Sequence, residues 1–107
     1  MIRLMFLRRL WYNNQYRKYR NKIIEIKFRI DYLHGLEAVR THPVTTARLK
    51  AISCRLKKAS AVNERLHAAN RMGIDRRIRN GYRSELEIRL RSLNNSLTRI
   101  GSVTKQG

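Results

Sequence analysis

Arg71, Arg76, Arg77, Arg79 and Arg83 crowd into one stretch that Gly73, Asn80, Gly81 and Tyr82 interrupt. Guanidinium groups grip phosphate oxygens in pairs and lie flat on bases, and a tyrosine among them offers its ring to an unpaired base. Read as a flexible connection between two helices, this stretch is the foremost candidate for contact with a phosphate backbone; its plainer reading is a solvated turn. A second cluster, Arg48, Lys50, Arg55, Lys57 and Lys58, falls largely on the polar side of a helix. A third, Arg17, Lys18, Arg20 and Lys22, is interleaved with Tyr16 and Tyr19 and suits a phosphate-gripping helix face, although both tyrosines also fall on an apolar seam, where packing is their first use.

Other chemistries find little support in these residues. Six of the 7 Asp and Glu residues have a basic residue three or four positions away, which suits surface pairing, and no nucleophile, base and orienting group can be assembled. Catalysis is not expected. His34, His42 and His67 have no metal-ligand spacing, and no glycine-rich phosphate loop occurs, so neither a metal nor a cofactor is expected. Cys54 is the single cysteine, which forbids an internal disulfide and points to a reducing, intracellular compartment, the cytoplasm or the mitochondrial matrix.

The three clusters sit in a chain that is basic throughout. With 25 Lys and Arg against 7 Asp and Glu, the 107 residues carry a formal charge of +18, spread from Arg3 to Lys105 rather than gathered in one tail. Self-repulsion of that size opposes a compact fold, and a polyanion relieves it while releasing condensed counterions. Nucleic acid is the default partner, with RNA favoured over DNA; an acidic protein surface or an anionic membrane would answer the same charge. At 42% hydrophobic the chain is not a disordered polycation, and its length suits one domain, 1–101, followed by a short tail, 102–107. No apolar run approaches the ~20 residues that span a bilayer. The first dozen residues are amphipathic and free of acid, the first carboxylate being Glu25. They fit a targeting segment or an interfacial helix as well as an ordinary helix start that docks Leu4, Leu7 and Trp11 on a partner.

The elements that position these residues follow from periodicity. Tyr12, Tyr16, Tyr19, Ile23, Ile26, Ile30 and Leu33 alternate at four and three residues, with Ile2 and Met5 continuing the phase upstream, and predict one helix from near the N-terminus to about His34. Ile24, Phe28 and Tyr32 form a second apolar strip on it. Residues 24–32 and 86–90 also alternate strictly, as strands would, but Glu25 with Arg29, Lys27 with Asp31, Asp75 with Arg79, Glu85 with Arg89 and Glu87 with Arg91 fall at i,i+4 and favour helix. A second helix is expected from Pro43 to near Gly73, with Leu49, Ile52, Leu56, Ala59, Asn63 and Leu66 inward, and folded back on the first as an antiparallel hairpin. A third is expected to open at Ser84-Glu85-Leu86-Glu87, a capping-box spacing, to bury Leu86, Leu90, Leu93, Leu97 and Ile100, and to stop at Gly101. Lys22, Arg29, Arg20 and Lys27 flank the first seam and would repel across a parallel dimer, so a homodimeric coiled coil is disfavoured.

The fold class expected is therefore all-α, with apolar seams also available to neighbouring proteins. An Arg-rich helical hairpin with a projecting helix resembles, in style and without a residue-by-residue match, the small ribosomal proteins. That likeness implies a structural RNA-binding component of a ribonucleoprotein, ribosomal or mitoribosomal, contacting rRNA phosphates. The alternatives are a virally encoded or DNA-associated regulator that occupies a nucleic-acid enzyme, and a helical accessory subunit of a membrane complex.

Overall fold

The computed structural model describes the backbone of residues 2–106 and the side chains of residues 6–101. It is all-α, with no strand among the described residues: α1 (Ile2–Gly35), a single-turn α2 (Glu37–Arg40), α3 (Pro43–Met72) and α4 (Arg76–Gln106). At 1.5 Å per residue the 34 residues of α1 span about 50 Å, and the molecule measures 59 × 21 × 16 Å. Its radius of gyration is 17.1 Å, against about 13 Å for a rounder domain of this size, so the helices lie alongside one another as a rod.

The seams expected on α3 and α4 form the core with the second half of the α1 seam, while Tyr12, Tyr16 and Ile23 of α1 are only half-buried. Tyr19, Ile26, Ile30 and Leu33 of α1 are buried against Leu49, Ile52, Leu56, Ala59, Val62 and Leu66 of α3 and Leu86, Leu90, Leu93, Leu97 and Ile100 of α4. Each large aliphatic side chain buried this way contributes about 1.5–3 kcal/mol, which is how a chain with so much like charge can stay compact. Helix α3 packs on both α1 and α4, and α1 also meets α4. Ile2, Leu4 and Met5, expected on the first helix, lie outside the residues whose side chains are described. The helical form of 24–32 leaves Ile24, Phe28 and Tyr32 36%, 68% and 69% exposed, the second strip anticipated for α1.

Polar contacts set which ends meet. Gln15 Oε1 accepts from Asn70 Nδ2 at 3.1 Å, Tyr16 Oη donates to Glu64 Oε1, and the Tyr16 carbonyl accepts from Asn63 Nδ2 at 3.4 Å. Along α1 and α4 the partners rise together: Tyr12 with Arg79, Tyr19 with Glu87, Arg29 with Asn94. The beginnings of α1 and α4 therefore share one end of the rod with the last turns of α3.

The boundaries of α3 are those the sequence implies. Pro43 occupies its first turn and His42 Nδ1 accepts from the Thr45 backbone N–H at 3.4 Å. At the far end Gly73 takes φ +66°, with Ile74 N–H bonded to the Ala69 carbonyl at 3.1 Å and Gly73 N–H to Asn70 at 3.4 Å, a Schellman turn.

The start of α4 differs from expectation. It opens at Arg76, not Ser84, because Asp75 caps it: Asp75 Oδ1 accepts the Arg77 backbone N–H at 2.9 Å. Gly81 and Tyr82 are thus inside a helix, and the connection between α3 and α4 shrinks to residues 73–75. Nor does Gly101 end α4, which runs on to Gln106; the side chains of the expected tail, 102–107, lie outside the described residues. Of the ion pairs expected, Glu85 and Arg89 meet at 2.9 Å. Arg29 instead donates to Asn94 and Arg79 to Tyr12, because partners on facing helices compete with those one turn along the same helix, while Glu87 accepts from Tyr19 of α1 and pairs backwards with Arg83 at 3.6 Å.

Candidate nucleic-acid interface

At the end where α1 and α4 begin, two helix faces with the same internal spacing stand opposite one another. Arg8, Trp11, Tyr12 and Gln15 of α1 fall at i, i+3, i+4 and i+7, and so do Arg76, Arg79, Asn80 and Arg83 of α4. Residues so spaced lie on one side of a helix. Between these faces, floored by Leu66 and Asn70 of α3 and edged by Leu7, is an open cleft of about 460 Å³. On the other side of Tyr12 a second cleft, about 640 Å³, lies between Arg8, Arg9 and Asn13 of α1 and His67, Asn70 and Arg71 of α3, closed by Gly73.

Arginines from three helices therefore converge here, and among the described residues no carboxylate lines either cleft. Asp75, close in sequence to Arg76, faces the α4 backbone through its cap. The N-terminus of α4 adds the positive end of a helix dipole to the same region. Arg79 is half-buried and held in place: its Nη1 donates to Tyr12 Oη at 3.0 Å while its Nε is buried without a protein partner. On the second cleft, His67 lies against the Tyr16 ring with centroids 4.5 Å apart, and its Nδ1 is likewise buried and unpartnered. Trp11 is 52% exposed and meets Tyr12 edge-on at 5.4 Å.

One polar knot, which shares Arg83 with the first cleft, fixes α1 on α4. Tyr19 Oη donates to Glu87 Oε1 at 2.7 Å, and Arg83 stands on the same carboxylate oxygen. Burial raises the Tyr19 pKa above the usual 10, the hydrogen bond to Glu87 adds to the rise, and Arg83 opposes it. Tyr16 is also raised, first by its hydrogen bond to Glu64.

The expected site residues divide accordingly. Arg76, Arg79 and Arg83 come together on the first cleft, and Arg71 on the second. Arg77 is exposed on α4 and lines neither, and Tyr82 is half-buried against the core rather than free in a loop. Arg48, Lys50, Lys57 and Lys58 are exposed along α3, whereas Arg55 is half-buried and donates to Ser92 and, at 3.4 Å, to Ser96, tying α3 to α4. Arg17, Lys18, Arg20 and Lys22 are exposed on α1, with Lys22 Nζ 5.8 Å from the centre of the Tyr19 ring. The expected site residues did not include Arg8, Arg9 and Trp11; the i, i+3, i+4 spacing of Arg8, Trp11 and Tyr12 is visible in the sequence, but not the α4 face it meets. Among the described residues there is no group of His, Cys, Asp and Glu able to hold a metal ion, and no helix long and apolar enough to cross a membrane.

Comparison with known proteins returns no match: no family model, no curated protein and no solved structure is found similar to this chain.

Proposed function

We propose that this chain is a small structural RNA-binding protein of a ribonucleoprotein, ribosomal or mitoribosomal in kind, and that the arginine-lined end of the rod is its principal contact with phosphate. The observation that carries this reading is the convergence of Arg8, Arg9, Arg71, Arg76, Arg79 and Arg83 around two open clefts with no lining carboxylate among the described residues. Among the described residues Arg83 alone of the six has a carboxylate partner, Glu87 at 3.6 Å; guanidinium groups facing one another with so few acids repel, and polyphosphate is the ligand that turns this cost into affinity. The exposed cations along α3 and α1 extend the contact as a less specific, solvent-screened surface.

The reading predicts binding that weakens steeply with salt, since each neutralised phosphate contributes a slope of about −0.7 for single strands and −0.9 for a duplex in log K against log salt. Replacing Arg76, Arg79 and Arg83 together by Gln flattens that slope by about two units, if most of the three each neutralise one phosphate. Fluorescence polarisation of labelled RNA between roughly 50 and 200 mM salt measures both quantities. A slope near zero with the unaltered protein overturns the proposal.

A second reading draws on Phe28 and Tyr32, 68% and 69% exposed on α1. They would seat a neighbouring protein in the assembly or the partner of a membrane-associated complex. Flotation with liposomes separates the two.

A further inference from the structure

We infer that the cleft between α1 and α4 holds one unpaired nucleotide, its base on the Trp11 indole and its phosphate on Arg76, Arg79 and Arg83. The inference rests on the nucleic-acid reading above and narrows it to a single-stranded segment.

The cleft is two-sided in chemistry. Leu7, Trp11 and Leu66 supply apolar surface, while Arg8 and the three α4 arginines supply charge. Phosphate alone would need only the second. A nucleotide presents both, a flat weakly polar base joined to an anion, and about 460 Å³ falls within the roughly 300–1,000 Å³ of sites that enclose molecules of that size.

The side chains are also partly set for the task. Arg79 is anchored through Tyr12 Oη at 3.0 Å, so less rotamer freedom remains to be lost on binding. Its buried Nε has no protein partner and is a donor in want of an acceptor. Trp11 is 52% exposed even though it borders the cleft, so it is incompletely covered by its own fold. In a duplex the base faces are stacked on one another and a side-chain ring gains nothing from them, whereas aromatic side chains are stacking platforms for unpaired bases.

Trp11 is the single tryptophan, so the intrinsic fluorescence of the full chain reports on this cleft. The unaltered protein is titrated with a single-stranded oligouridylate of eight residues and with a twelve-base-pair RNA duplex, at equal phosphate and low salt. The expected result is quenching of the indole by the single strand alone, and single-strand binding roughly 5- to 150-fold tighter than duplex binding, the range one stacked base provides. Polarisation of labelled RNA then compares variants. Trp11→Leu brings single-strand affinity down to the duplex level with the salt slope unchanged, Trp11→Phe restores part of the difference, and Arg76→Gln with Arg83→Gln lowers both affinities and flattens the slope. Far-ultraviolet circular dichroism checks that each variant stays helical.

Equal affinity for both RNAs with unchanged indole emission overturns the inference and leaves the phosphate-binding function standing. Absence of salt-sensitive binding to either RNA overturns both. A blue shift of Trp11 on phosphatidylglycerol–phosphatidylcholine vesicles that the oligouridylate cannot reverse overturns the inference in favour of a lipid surface.

Discussion

Gly81 and Gly73 should respond in opposite directions to the same substitution, and the difference tests where α4 begins. Gly81 sits in the interior of α4, and a Cβ built on it meets nothing within 4 Å. Alanine there adds no clash and limits the freedom of the unfolded chain, so Gly81→Ala stabilises by about 0.8–1.0 kcal/mol, the helix-interior difference between the two residues. Gly73 also has open space around it, but its φ is +66°. An L side chain in that left-handed conformation costs roughly 1–2 kcal/mol, so Gly73→Ala destabilises although nothing is in the way. The two variants should then differ by about 2–3 kcal/mol. At roughly 4–8 °C per kcal/mol for a domain near this size, Tm rises by several degrees in one and falls by more in the other. Thermal and urea unfolding followed by circular dichroism give both values. If Gly81 lay in a loop that bends around phosphate, Gly81→Ala would instead leave Tm unmoved or lowered and would weaken RNA binding. Either outcome refutes the reasoning, as does a neutral Gly73→Ala.

Two further expectations concern the core and its polar knot. Leu93 is fully buried between the helices, and Leu93→Ala should lower the unfolding free energy by about 2–5 kcal/mol, read as a fall in urea midpoint at constant m-value. Tyr19 has a pKa raised above 10 in the fold, so its stabilising contribution is complete below pH ~10 and is lost as pH rises through the unfolded and then the folded pKa. Urea midpoints between about pH 9 and 11 should therefore fall more steeply for the unaltered protein than for Tyr19→Phe; parallel profiles would contradict the proposed linkage.

The core was legible in the chain because each seam is a property of one helix. Leu49, Ile52, Leu56, Ala59, Asn63 and Leu66 repeat every three or four residues, and so do Leu86, Leu90, Leu93, Leu97 and Ile100; all are buried. The ambiguity at 24–32 also resolves locally, since a helical α1 keeps Ile26, Ile30 and Leu33 in phase with Tyr19 whereas a strand would break that stripe. The start of α4 was misjudged because two capping signals compete within ten residues. Ser84 with Glu87 has the textual spacing of a capping box, but Asp75 holds the start and Gly81 is carried inside the helix at a cost of about 1 kcal/mol, offset by contacts such as Arg79 with Tyr12 and Tyr82 with the core.

The amino-acid order alone thus determined that the chain is helical, cationic and seamed, since charge, periodicity and the local signals of Pro43 and Gly73 need no distant partner. Tertiary packing decided which cations share a site. Arg8 and Arg83 are far apart along the chain, and their meeting depends on α1 and α4 starting at the same end of the rod, on both sides of the last turns of α3. The same packing set Trp11 on the rim of that cleft and drew Tyr82 and Arg55 towards the interior. Periodicity specifies the face of a helix on which a residue lies, whereas the element that face meets follows from burying three seams in one core.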